Sequence, residues 1–142
     1  MTEFFVIPGE PRGKGRPRFA SRGKYISTYT DEKTALYENL VKVEYQAQCS
    51  NKYFGDKLYI KACIIARYAI PRSVSKSAKE KMLAGIIRPA KKPDIDNIVK
   101  VIFDALNGIA YRDDSQIVEC EIRKFYSDVP CVEVTLTGYG GI

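Results

Sequence analysis

Five aspartates fall between positions 94 and 114 of a chain whose formal net charge is +6: Asp94, Asp96, Asp104, Asp113 and Asp114. Carboxylates gathered in a basic protein either hold a hard divalent cation such as Mg²⁺ or Mn²⁺, or are neutralised by nearby lysines. The 142 residues include no histidine, and Cys49, Cys63, Cys120 and Cys131 are widely spaced with no C-x-x-C pair. That excludes a zinc site and every mechanism built on a Ser-His-Asp or Cys-His arrangement. Catalysis, if present, rests on carboxylates, lysine, tyrosine or a carboxylate-bound metal.

Asp94 follows Pro93, and Asp96 lies in the first turn of a helix predicted from Asp94 to about Asn107. Unpaired N–H groups and the positive end of the helix dipole favour negative charge there. Ile95, Ile98, Val99, Ile102, Phe103 and Leu106 form its apolar stripe; Asn97, Lys100 and Asp104 fall opposite, with Asp96 at the boundary. Val118, Cys120 and Ile122 share a parity in the strand that follows, and extending it backwards turns Gln116 and Asp114 inward. If the Asp94 helix packs there, Asp94, Asp96 and Asp114 converge on one cation. The plainer alternative is that Asp94 only caps its helix and Asp113-Asp114 only make a turn. An EF-hand loop is excluded, because Ile98 occupies a ligand position and the required glycine is missing. Lys100 is read either as a salt-bridge partner of Asp96, one turn away, or as a cation beside a reacting phosphate; charge stabilisation suits it better than a general-base role. Asp104 is expected to balance Lys100.

The positive charge is segregated. Arg12, Lys14, Arg16, Arg18, Arg22 and Lys24 lie in a stretch with no acid, and between Arg72 and Lys92 seven cations, including Lys91 and Lys92, face Glu80 alone. An anionic polymer has somewhere to lie, and an acidic patch is left to bind cations. Glycines and prolines keep Pro11 to Phe19 out of a helix, so residues 11–27 read as an extended or mobile basic loop whose glycines allow close approach to phosphate. Phe19, Tyr25 and Tyr29 are placed either to stack on bases or as core aromatics at the edges of the loop.

The elements that must position these groups form one domain spanning residues 1–142, with 45% hydrophobic residues for a core. The strand Phe4–Ile7 comes first. A helix capped by Thr30 or Asp31 then runs to about Gln48, with Leu36, Leu40, Val43 and Ala47 as its stripe. A strand between Leu58 and Ile70 follows, with its even positions inward. After it come a short lysine-rich helix opened by Ser73 or Ser75 and stopped by Gly85, the acidic helix stopped by Gly108, and strands Gln116–Phe125 and Cys131–Thr137. This β-α-β-α-α-β-β order predicts an α+β fold with a small mixed sheet. Three of the cysteines fall in strands, as small buried hydrophobes. No apolar run approaches the ~18 residues of a membrane helix, so a cytoplasmic protein is expected.

Pro11-x-x-Lys14-Gly15-Arg16-Pro17-Arg18, then Arg88-Pro89-x-Lys91-Lys92-Pro93-Asp94-x-Asp96-Asn97-x-x-Lys100-x-x-x-Asp104-Ala105-Leu106-Asn107-Gly108, then Asp113-Asp114-x-Gln116, resembles the RusA family of phage and prophage Holliday junction resolvases. The resemblance spans nearly the whole chain. It implies a small homodimeric, Mg²⁺-dependent endonuclease, with Mn²⁺ as a possible substitute, that cuts four-way DNA junctions symmetrically. Its catalytic acids map onto Asp94, Asp96 and Asp114, which would hold the metal, and its lysine maps onto Lys100. Strand parity favours Asp114 over Asp113. Two other readings remain open: a nucleic-acid-binding protein with no nuclease activity, and a flap or fork nuclease of broader specificity.

Overall fold

The computed structural model describes residues 1–50 and 53–141, with the side chain of Arg22 outside the described set. Its centre is a four-stranded mixed sheet in the order β1-β6-β4-β5, built from β1 (Thr2–Pro8), β4 (Tyr59–Ala69), β5 (Ile117–Ser127) and β6 (Cys131–Tyr139). β6 pairs antiparallel with both β1 and β4, whereas β4 and β5 run parallel. A parallel pair needs a long crossover, and the chain uses it to carry α2 (Lys76–Leu83) and α3 (Ile95–Leu106). The even positions of β4, from Ile60 to Tyr68, are buried as alternation predicts, together with Phe5, Ile7, Val132, Val134 and Leu136. Helices α1 (Glu32–Gln48) and α3 cover this face, and α2 packs on β5.

Asp31 caps α1, accepting from the Thr34 N–H at 3.0 Å and the Thr34 hydroxyl at 2.7 Å. The buried face of α1, however, is Thr34, Tyr37, Val41 and Tyr45; Leu36 and Val43 are 64% and 50% exposed. Two stripes overlap on this helix, and the one carrying the larger rings wins the core. Tyr45 packs edge-on against Phe5 with ring centroids 5.3 Å apart. At its far end Gln48 blunts the outer edge of the sheet, accepting from the Val6 N–H and donating to the Val6 carbonyl, both at 2.8 Å.

Residues 18–27 of the expected basic loop instead form, with Thr28 and Tyr29, an antiparallel hairpin, β2 (Arg18–Arg22) and β3 (Tyr25–Tyr29), as a separate two-stranded sheet. Gly23, with φ of 61°, supplies the turn between them. Only residues 11–17 remain extended, and they are docked. The Lys14 N–H donates to the Asn97 carbonyl at 3.0 Å, and the Gly15 N–H to the Thr34 hydroxyl at 2.9 Å. A Cβ at Gly13 would sit 2.9 Å from Asn97 Cβ, and one at Gly15 1.9 Å from Asp31 Oδ2. Both glycines therefore serve the approach of the loop to α3 and α1 rather than approach to phosphate.

The remaining helix signals follow the sequence reading. Ser75 caps α2 and Gly85 ends it with φ of 77°. In α3 the buried residues are Ile98, Val101, Ile102, Phe103, Ala105 and Leu106, and Ile95 at its start is exposed. All four cysteines are free; Cys49 is buried, but Cys120 is exposed on the edge strand β5.

Candidate active site

Asp94 occupies the N-cap position of α3 with extended backbone, yet its side chain makes no capping hydrogen bond. The contrast with Asp31, whose carboxylate is consumed by Thr34, removes capping as the explanation for Asp94. The turn before it is held from the sheet. The Tyr68 hydroxyl donates to the Pro93 carbonyl at 2.8 Å, and the Lys124 ammonium donates to the Lys91 carbonyl. Lys91 and Lys124 stack against the tyrosines beneath, with Lys91 Nζ 5.9 Å from the Tyr68 ring and 5.7 Å from the Tyr126 ring, and Lys124 Nζ 5.1 Å from Tyr68. Burial lowers the Lys124 pKa and Lys91 adds to this, while Asp94 opposes it. Neither Tyr68 nor Lys124 stands out in sequence, because each is one position in a strand alternation.

Along α3, Asp96, Lys100, Asp104 and Asn107 recur every three or four residues, which places them on one face, about 6 Å of helix axis per step. Asp104 does not balance Lys100 as expected. Lys14 reaches in from the loop to Asp104 Oδ2 at 3.3 Å and to Glu38 Oε1 at 3.1 Å, with all three side chains largely shielded. Desolvation lowers the Lys14 pKa, but the bonds and charges of Glu38 and then Asp104 outweigh it, and the net shift is upward. Lys14 is thus a strut tying the loop to α1 and α3, and its ammonium is not available to phosphate as the sequence reading had it. Lys100 is exposed and makes no ion pair among the described residues, with Asp96 or any other acid.

The Asp113-Asp114-x-Gln116 motif divides its labour. Asp113 caps a short 3₁₀ turn, Asp114–Gln116, accepting from the Ser115 N–H at 3.1 Å, and the Ser115 hydroxyl first, then this N–H, hold its pKa down. Gln116 is 6% exposed; it accepts from the Arg112 N–H at 2.9 Å and donates to the carbonyls of Gly55 (3.0 Å) and Leu58 (3.1 Å), anchoring the turn at the start of β4. Asp114 is left half-buried beside the polar face of α3, its N–H donating to Asn107 Oδ1 at 2.8 Å. Burial, then Asp113 and Asp104, raise its pKa, and Lys100 pulls the other way. The parity argument fails at its base: Val118 and Cys120 are exposed, and Asp114 and Gln116 both lie in the 3₁₀ turn before β5, so Gln116 is turned inward by its bonds to Gly55 and Leu58 rather than by strand alternation. A register shift against Ile60 and Lys61 also puts Val118, 52% exposed, out of the alternation.

Among the described residues no three acidic, histidine or cysteine side chains stand close enough to share a cation. The acids are strung along α3, Asp94 at its N-terminal end and Asp114 near Asn107, rather than gathered in a cage. Their chemistry still suits Mg²⁺, which is commonly held by one or two carboxylates, substrate phosphate and water rather than by an all-protein cage. Beside Asp94 runs an open groove of about 800 Å³, walled by residues 11–18, by Asp31, Lys33 and Thr34 at the start of α1, and by Lys92, Pro93 and Asn97. Arg12, Arg16, Arg18 and Lys92 therefore meet on one surface with Asp94. Lys33 joins them without having been singled out. Lys24 lies at the hairpin turn and Lys91 on the Tyr68 side, away from the groove lining; the Arg22 side chain lies outside the described residues.

The family model for the endodeoxyribonuclease RusA matches residues 8–137. The chain belongs to the RusA endodeoxyribonuclease family. It is also similar to the uncharacterized protein YqaN of Bacillus subtilis (strain 168), with 35% identity over 137 residues that cover 93% of each chain. The RusA match takes in the docked loop, the hairpin, α3, the 3₁₀ turn and β5 together, so the acidic face and the basic groove both fall within it. No helix among the described residues is long and apolar enough to cross a membrane.

Proposed function

We propose that this chain is a Mg²⁺-dependent, homodimeric endonuclease that resolves four-way DNA junctions by paired symmetric cuts in recombination and repair, with Mn²⁺ able to substitute. The observation that best supports this is Asp94, a helix N-terminal carboxylate that performs no capping and sits on a groove lined by Arg12, Arg16, Arg18 and Lys92. Those cations draw in the DNA backbone, which the acids alone would repel. Lys24 and Lys91 extend the positive surface. Asp94, Asp96 and Asp114 are the candidate acids, of which one or two would hold Mg²⁺ together with substrate phosphate and water; polarisation of the scissile phosphate and a water of lowered pKa are what Mg²⁺ would supply when bound. Lys100, exposed on the same side of α3 as Asp96, balances the charge that develops on the phosphate. One such site cuts one strand, and a junction needs two cuts related by a two-fold axis, which a C2 homodimer matches.

The test is incubation of the protein with a labelled four-way junction, a flap and a linear duplex, with and without Mg²⁺. Paired symmetric nicks in the junction, only with the cation, are expected, and Asp96→Asn should abolish them while binding the junction as tightly or more tightly. Binding without cuts by the wild type would identify a non-catalytic binding protein, and preferential flap cleavage a broader nuclease. Retained cleavage in Asp96→Asn would sink the residue assignment.

A further inference from the structure

The β2–β3 ribbon stands apart from the core. Phe19, Tyr25, Ile26 and Tyr29 are 72%, 80%, 74% and 51% exposed, so the aromatics of this segment are not core residues. A two-stranded ribbon with bare apolar side chains is marginal in water on its own, and such a patch marks a contact surface. Register sorts its residues, because directly paired positions share a face. Arg18↔Tyr29 and Ala20↔Ser27 lie on one side, Phe19↔Thr28 and Ser21↔Ile26 on the other. The occupant's chemistry follows from charge: no acidic residue occurs from Pro11 to Thr30, so the ribbon suits a polyanion. Its location follows from Arg18, which lines the same groove as Asp94, so the ribbon rises from the rim of that groove.

We propose that the Phe19–Ile26 face of the ribbon is a wedge that enters the unstacked bases at a DNA branch point, making this ribbon the element that tells branched DNA from duplex. The proposal rests on the DNA-cleaving reading above and names the part of the substrate that reading leaves unassigned. Five residues of paired strand extend about 17 Å, long enough to reach from the groove rim into the centre of a junction. Inserting Phe19 into an intact duplex requires breaking a base step, whereas at a branch point that stacking is already interrupted. The same side chain therefore gains stacking on branched DNA without first paying for a gap. Arg18 and Tyr29, on the opposite side, are left to follow the backbone.

The experiment uses the full chain without divalent cations, so that DNA stays intact, and a four-way junction carrying 2-aminopurine beside the branch. Wild type should raise the fluorescence and prefer the junction to a duplex of equal length. Phe19→Ala/Ile26→Ala should lose the rise and about tenfold of the junction affinity, while duplex affinity changes by less than about twofold and the thermal unfolding midpoint is kept. Phe19→Trp should preserve both signals. A double variant that still unstacks the base and still prefers the junction overturns the wedge, as does one that changes the oligomeric state without DNA, which would mark the face as a self-association surface. Wild type that binds no DNA overturns the wedge together with the nuclease reading; wild type that binds and prefers the junction while the double variant behaves identically overturns the wedge alone.

Discussion

Replacing Lys14 by methionine separates two roles that look identical in sequence. The residue sits in a basic run beside Arg12 and Arg16, yet its ammonium lies 3.1 Å from Glu38 and 3.3 Å from Asp104, in a partly shielded pocket. Exposed ion pairs contribute about 0–1 kcal/mol, and breaking a buried pair costs about 3–5 kcal/mol because a charge is stranded. With side chains 14–29% exposed, this site falls between, and about 2 kcal/mol is expected for Lys14→Met. At about 3 °C per kcal/mol for a chain of this size, the unfolding midpoint should fall about 6 °C. The Lys14 pKa is raised on folding, so its contribution is complete below the unfolded value of 10.5 and is lost as pH rises through the folded one. The gap between wild type and variant should therefore be flat from pH 7 to 9 and narrow above about 10.5. Adding Glu38→Gln and Asp104→Asn to Lys14→Met should recover part of the loss, since the stranded charges go too. The assay is thermal unfolding across pH, paired with salt titration of DNA binding. A midpoint within 1 °C of wild type, with a salt slope reduced by about one phosphate contact, would refute the strut and return Lys14 to the DNA.

Gly15→Ala places a Cβ against Asp31 Oδ2 and should force the loop off α1, costing about 1–3 kcal/mol in denaturant unfolding and weakening DNA binding through loss of the groove wall. On α1, Val41→Ala should cost about 2 kcal/mol and Leu36→Ala under about 1 kcal/mol, the reverse of what a Leu36 stripe requires; chemical denaturation of both variants decides it. Asp113→Ala should lower the unfolding midpoint by loss of its cap while leaving metal-dependent cleavage in place, and Asp114→Asn should do the opposite; equal loss of cleavage in both would refute the division between them.

The acidic helix was legible in sequence because its signals are local. Apolar spacing, Pro93 before the start and Gly108 after the end all act within a turn or two, and so do the β4 alternation and the Ser75 cap. The sequence by itself also determined the shortlist of acids and the chemistry left when histidine is absent. What depends on partners far along the chain was not readable. Lys14 meets Glu38 and Asp104, at separations no local rule anticipates, and this frees Lys100. The buried face of α1 was decided by which side chains best fill the space over Phe5 and the sheet, so tyrosines displaced the more obvious leucines. The hairpin was hidden because none of the described side chains in its strands is buried, leaving no alternation to detect. Asp94 and Asp31 look alike in sequence, both aspartates just before a helix. Both line the groove; the difference, visible only once the fold is built, is that Asp31 binds Thr34 three residues along while Asp94 makes no capping bond and keeps its carboxylate free of one.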